Sequence, residues 1–235
     1  MASQLGSNET KLPTARHWRP VVPALLFVLA TYAFNLGLNT ALFRLQSVLP
    51  GVPQQPIVAV PLTTLGAGAL LVVSGVAMTY SLSLFVRTVV ESTGRTSGAP
   101  SFAIGAGQFA RATGVVVVGG IATALGLALL VVPGLVVLAH LPFVLIAVVL
   151  EDQSIERALA TGHARVRTTP VPVATATLLT ALGLAAVTAF GVYTSLVPPA
   201  IEVGVGATGT ALVLLAGVYA FGGLYRRTPR GHGGI

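Results

Sequence analysis

Few side chains in the apolar stretches of this chain could do chemistry. His140 is the one titratable residue within them, and an imidazole there could bind a ligand or relay a proton. A relay needs a second titratable group. None accompanies His140 in its run, so a hydrogen bond to a neighbouring helix suits it better. Tyr32, Asn35 and Asn39 stand at i, i+3 and i+7 and so share one helix face. Such a stripe could line a polar path, or its amides could bridge helices through bonds of about 0.6–2 kcal/mol each. The second role is the commoner one. Glu151, Asp152 and Glu156 could attract a cation, but helix capping and a solvated loop account for acidic residues at such a place. The chain holds no His-Glu-x-x-His, no Walker loop, no paired aspartates and no Gly-x-Ser-x-Gly. Gly105-Ala106-Gly107 follows no strand and is not a nucleotide loop. No catalytic residue, cofactor or metal site is therefore assigned, and the polar candidates are His140, Asn35, Asn39 and Tyr32.

The residues around these candidates decide the protein class. Of 235 residues only 13 are Lys or Arg and 6 Asp or Glu, so 8% carry charge, against about 25% in a soluble domain. Hydrophobic residues reach 54% and mean hydropathy is +0.88. So few charges cannot cover the surface of a soluble protein of this size. The composition is that of an integral membrane protein. Cysteine is absent, which excludes disulfides, thiolate ligands and a thiol nucleophile. The net charge of +7 is spread between apolar runs rather than clustered, which suits anionic lipid headgroups and not nucleic acid.

Spacing between charges places the spans. The uncharged gaps are 24 residues from Arg19 to Arg44, 42 to Arg87, 39 from Arg111 to Glu151, 34 from Arg167 to Glu202 and 23 to Arg226. One crossing needs about 20 residues. In the second gap Pro50, Pro53, Pro56 and Pro61 prevent a helix, leaving an extramembrane loop and a helix from Leu62 to Val86. The third gap is too long for one helix and is split at Pro133-Gly134, a dipeptide that reads as a turn. The expectation is an all-α integral membrane protein with six transmembrane helices and a Pro-Gly hairpin between the third and fourth. The piece after that turn, Leu135 to Leu150, spans only about 24 Å, short for a crossing. A re-entrant loop would satisfy the same charges.

Orientation follows from the basic residues. Twelve (Lys11, Arg16, Arg19, Arg87, Arg95, Arg111, Arg157, Arg165, Arg167, Arg226, Arg227 and Arg230) fall on one side and Arg44 alone on the other. The larger set marks the cytoplasm. Cytoplasmic tails at 1–20 and 226–235 then flank a membrane domain at 21–225 in the cell membrane. The run from Val21 to Phe43 is too long for a signal peptide and reads as a retained first helix. Asn8-Glu9-Thr10 matches a glycosylation sequon on the cytoplasmic side. One or two short amphipathic inner-side helices are expected. Over 101–112, Phe102, Ala106 and Phe109 share a face, with Gln108 and Arg111 off it. Over 153–167, Ile155, Leu159, Gly162 and Val166 oppose Glu156, His163 and Arg167, with Asp152 or Ser154 as cap. Such helices often lie in the headgroup plane. Gly120, Ala124 and Ala128, and Ala181, Ala185 and Ala189, form rows that permit close helix approach or a dimer face.

One stretch resembles a known family. Gly126 to Val132, then Pro133-Gly134, an apolar helix ending in Val148-Val149-Leu150-Glu151-Asp152, and Ile155-Glu156-Arg157-Ala158-Leu159 resemble the six-helix membrane domain that accompanies some glycerophosphodiester phosphodiesterases, and its stand-alone bacterial and archaeal relatives. The layout is similar over residues 60–225. Gly162 and His163 stand where the family commonly has a serine and an aromatic residue. The resemblance implies a fold; the catalytic domain has no counterpart, so it implies no activity. The expected function is a non-enzymatic membrane protein that packs with or organises other membrane components. The alternatives are a small transporter, which lacks intramembrane charges here, and a lipid-active enzyme, which lacks a catalytic constellation. The expected partners are the bilayer, other membrane proteins or a second copy.

Overall fold

The computed structural model describes residues 19–46, 59–91, 104–193 and 198–227. The Pro50–Pro56 loop, the Asn8 sequon, Phe102, Lys11, Arg16, Arg95 and Arg230 lie outside the described residues. Seven helices account for nearly all of the rest: α1 (Val21–Gln46), α2 (Thr64–Glu91), α3 (Ala106–Leu129), α4 (Val131–Glu151), α5 (Ile155–Thr168), α6 (Pro170–Tyr193) and α7 (Pro199–Arg227). All but α5 are long and apolar enough to cross a membrane. The six expected spans are these six helices. In a bilayer core no water can satisfy a free backbone group, so continuous helix is the form such segments must take.

The spans pair as α1 with α2, α3 with α4 and α6 with α7. In the first pair Gly37 faces Leu71 and Thr40 Oγ1 accepts from Val60 N at 3.1 Å. In the last, Gly183 faces Val213 and Gly209 faces Val187. Pairs converging in this way along the two chains are antiparallel. The second half of α4 forms the centre. Phe143 to Val149 are buried on every side, against α2, α5, α6 and α7, and Phe143 meets Phe221 edge-on at 5.3 Å.

The α3–α4 hairpin corrects the expected turn. The chain reverses at Leu130, the only non-helical residue between the two helices (φ −151°, ψ 111°). Pro133 and Gly134 lie inside the first turn and a half of α4. Proline fits there because the first turn has no use for its missing N–H. Gly134 serves contact instead: a Cβ on Gly126 would lie 2.7 Å from Gly134 Cα, so the two backbones touch. Starting at Val131 gives α4 21 residues, about 31 Å, enough for a full crossing. The piece that seemed short gains its missing turn from residues assigned to the loop.

The two small-residue rows do not make these contacts. Gly120, Ala124 and Ala128 are exposed, as are Ala185 and Ala189. A Cβ on Gly120 would meet nothing within 4 Å. The residues that pack are Gly119, against Leu141, and Gly126, against Gly134, one residue and about 100° round the helix from the expected row at its start.

The two expected short helices also differ from expectation. Residues 106–112 are the opening turns of α3, not a separate helix, and Gln108 and Ala106 exchange their expected places. Gln108 is buried at 7% exposure while Ala106 is exposed. Phe109 meets Tyr80 edge-on at 5.9 Å. The second segment is a helix, α5, as expected, with Ser154 at its N-cap but no side-chain cap bond. It folds back along α4. Asp152 takes the left-handed conformation (φ 51°) that ends α4, and Gly162 then lies against Val144 and the His140 carbonyl. Small residues at Ala158 and Gly162, both buried, allow this approach.

Candidate functional site

Several hydroxyls of the spans are satisfied locally. Thr31 Oγ1 donates to Phe27 O, Ser81 Oγ to Ala77 O, Ser83 Oγ to Thr79 O and Thr177 Oγ1 to Val173 O, each one turn back. A hydroxyl in an apolar setting finds its nearest acceptor there. The α1 stripe behaves likewise. Asn35 Nδ2 donates to Thr31 O at 2.9 Å, on its own helix and not across to another. Tyr32 packs near Gly204 of α7, and Asn39 is half-buried. The stripe shares a face but converges on no common point. One contact that does bridge α1 to the following segment is made by Thr40, whose spacing marks it out in no way. Arg44 Nη2 donates to Leu62 O at 2.9 Å, an exposed bond just before α2.

His140 also differs from its expected role. Its Nδ1 lies 2.7 Å from Val136 O of its own helix, and its ring stacks on His163 of α5 at 5.7 Å between centroids. The pair borders an apolar groove of about 630 Å³ between α3, α4 and α5. Gly114, Val115 and Val118 form one wall, Leu141 and Val144 another, and Ile155 and Leu159 the third. The apolar residues of α5 thus face the groove, Ile155 at 42% and Leu159 at 55% exposure.

A polar cavity of about 500 Å³ lies at the end of the same hairpin opposite the Leu130 turn, lined by Arg87, Gly105, Gly107, Gln108, Arg111, Leu150 and Asp152. Its chemistry starts from the end of α4, where the last four carbonyls have no intrahelical donor. Gln108 Nε2 donates to Val148 O at 3.1 Å and Val149 O at 3.0 Å. Its Oε1 accepts from Arg87 Nη2 at 2.6 Å, and Arg87 Nε donates to Val149 O at 3.3 Å. Arg111 Nη2 pairs with Asp152 Oδ1. Two guanidiniums thus face the negative end of the α4 dipole. Arg111 Nε is shielded from solvent and has no acceptor among the described residues. The acidic cluster is dispersed: Asp152 pairs with Arg111, Glu151 accepts from Gln153 Nε2 at 2.6 Å, and Glu156 is exposed in the first turn of α5. Among the described residues no three His, Asp or Glu side chains group as a metal site would need.

Sequence reasoning missed Gln108, Arg87, His163 and Arg165 as structural partners. Arg165, expected in the solvated inner set, is 7% exposed. Its guanidinium sits 4.2 Å from the centre of the Tyr225 ring and donates to the Tyr225 carbonyl near the end of α7. Removing it as Arg165→Met should lower stability by about 1–2 kcal/mol, the worth of a cation–π contact and a charged hydrogen bond after side-chain desolvation is recovered. Arg165→Lys should recover only part, since a point charge cannot stack on the ring while bonding the carbonyl. Thermal unfolding in detergent measures both; equal stability of the lysine variant and the parent would refute the stacking role.

These features define a helical, multi-pass membrane protein with six spans. Comparison with protein-family models, curated proteins and solved structures finds no match.

Proposed function

We propose that the chain is a non-enzymatic protein of the cell membrane, both ends cytoplasmic, that packs with or organises other membrane components. The observation that carries this reading is the use made of several serine and threonine hydroxyls of the spans and of the Asn35 amide. They bond carbonyls of their own helices and so do not converge on a substrate. The resemblance to the six-helix domain accompanying glycerophosphodiester phosphodiesterases supports the same architecture. The outward faces for partners are those of α3 and α6, whose most apolar windows are 11% and 17% buried, against 50% for α4.

Photo-crosslinking side chains at Leu125 and Leu182, which are 56% exposed on α3 and α6, test the packing role in native membranes. Crosslinks to protein at either site are expected; lipid adducts alone at both would overturn the reading. Orientation is tested separately, since the chain has no cysteine. The twelve-to-one basic asymmetry predicts that Leu130→Cys reacts with a membrane-impermeant thiol reagent from outside. Arg157→Cys, at an exposed position of α5, should react only from the cytoplasmic side. The reverse pattern would invert the topology.

A further inference from the structure

The polar cavity and the apolar groove lie end to end along α3. Arg111 lines the cavity, and Gly114, Val115 and Val118, which line the groove, follow it by 3, 4 and 7 residues and so share its helix face. The site has a cationic mouth and a dry channel leading about 10 Å up the helix. We infer that this channel binds an anionic glycerophospholipid of the inner leaflet, its phosphate at Arg111 and Arg87 and one acyl chain against Gly114, Val118, Leu141 and Val144.

Charge complementarity selects the occupant. Among the described residues two guanidiniums and one carboxylate line the mouth. Asp152 engages Nη2 of Arg111, while Nε of the same guanidinium is shielded from solvent and has no acceptor among the described residues. A buried donor without a partner carries a free-energy cost that an anionic oxygen would remove. The groove itself contributes little selectivity, because a chain leaving the bilayer exchanges one apolar surroundings for another. Its shape admits a chain; discrimination between lipids falls to the headgroup. This inference rests on the bilayer placement proposed above.

Binding is measured on the purified full-length chain by native mass spectrometry after release from phosphatidylcholine nanodiscs doped with phosphatidylglycerol. The parent should retain phosphatidylglycerol in preference to phosphatidylcholine. Arg111→Gln should lower that preference about tenfold or more, the effect of one charge-assisted contact. Gly114→Leu tests the channel without touching the charges. A Cβ there meets nothing within 4 Å, so the new side chain fills the groove with the helices in place, and retention of lipid should fall. Inorganic phosphate added in excess should not displace the lipid. A parent without headgroup preference would overturn the inference, as would an unchanged Arg111→Gln or an unchanged Gly114→Leu. Displacement by inorganic phosphate would make it a site for a free anion and overturn it too. Nanodiscs expose both faces, so an inverted topology in cells would leave this binding intact and refute only the proposed orientation.

Discussion

Gly134→Ala should destabilise the protein by about 2–3 kcal/mol, while Gly120→Ala on the same hairpin should be neutral or stabilising by up to about 1 kcal/mol. A methyl on Gly134 would enter the space of Leu127 N and of Gly126 C. These are backbone atoms, which cannot rotate away as a side chain can, so α3 and α4 must separate along their length. Separation weakens the other close contact of the pair, Gly119 on Leu141. At Gly120 the same methyl enters open space, and the helix gains the lower backbone entropy of alanine in its unfolded state. Gly126→Ala should match Gly134→Ala, because the two glycines form one contact. The double variant should cost clearly less than the sum, since a hairpin opened by one methyl has room for the second. Unfolding in mixed micelles measures the cycle. Simple additivity would mean that the backbones do not touch.

Gln108→Leu should cost about 3 kcal/mol, despite similar volume and higher hydropathy. The substitution leaves the carbonyls of Val148 and Val149 and one arm of Arg87 without the partners they have now. A polar group stranded in a buried site costs about 1–3 kcal/mol, and Arg87 Nε still reaches Val149 O, which recovers part of the loss. The local signature is specific. The amides of Asp152 and Gln153 both reach Ala147 O in the turn that closes α4, so hydrogen exchange there should accelerate if the end of α4 frays. Unchanged exchange with unchanged stability would show that water serves these carbonyls as well as glutamine does.

These two residues also show what the sequence could and could not convey. The six spans were legible because an apolar run of 20 or so residues has few other uses. The amphipathic stretch from Ile155 to Arg167 was legible for the same kind of reason, as a periodic pattern. Pro133-Gly134 misled because the signal of a turn is the same as that of a helix start beside a close contact. Proline is tolerated in a first turn, and glycine marks close approach as readily as reversal. Gln108 was unreadable for another reason. Its burial follows from the carbonyls that α4 brings opposite it, 40 residues later, and periodicity within one helix does not encode a partner's polar end. The α5 placement fails similarly: Ala158 and Gly162 determine that it packs on α4, yet in a chain with 27 glycines two more small residues carry no signal.

The central position of α4 bears on how the protein is made. It is the fourth span to leave the ribosome, but its walls include α6 and α7, which are synthesised last. Phe143 finds Phe221 only after nearly 80 further residues have emerged. Until then the face later covered by the C-terminal hairpin must be shielded by lipid or by an insertion chaperone. The α3–α4 hairpin can enter the bilayer as a unit, since its contacts are local, whereas completion of the bundle waits for the final pair of helices. A chain stalled before Pro170 would be membrane-inserted but open on that side, a natural substrate for quality-control proteases.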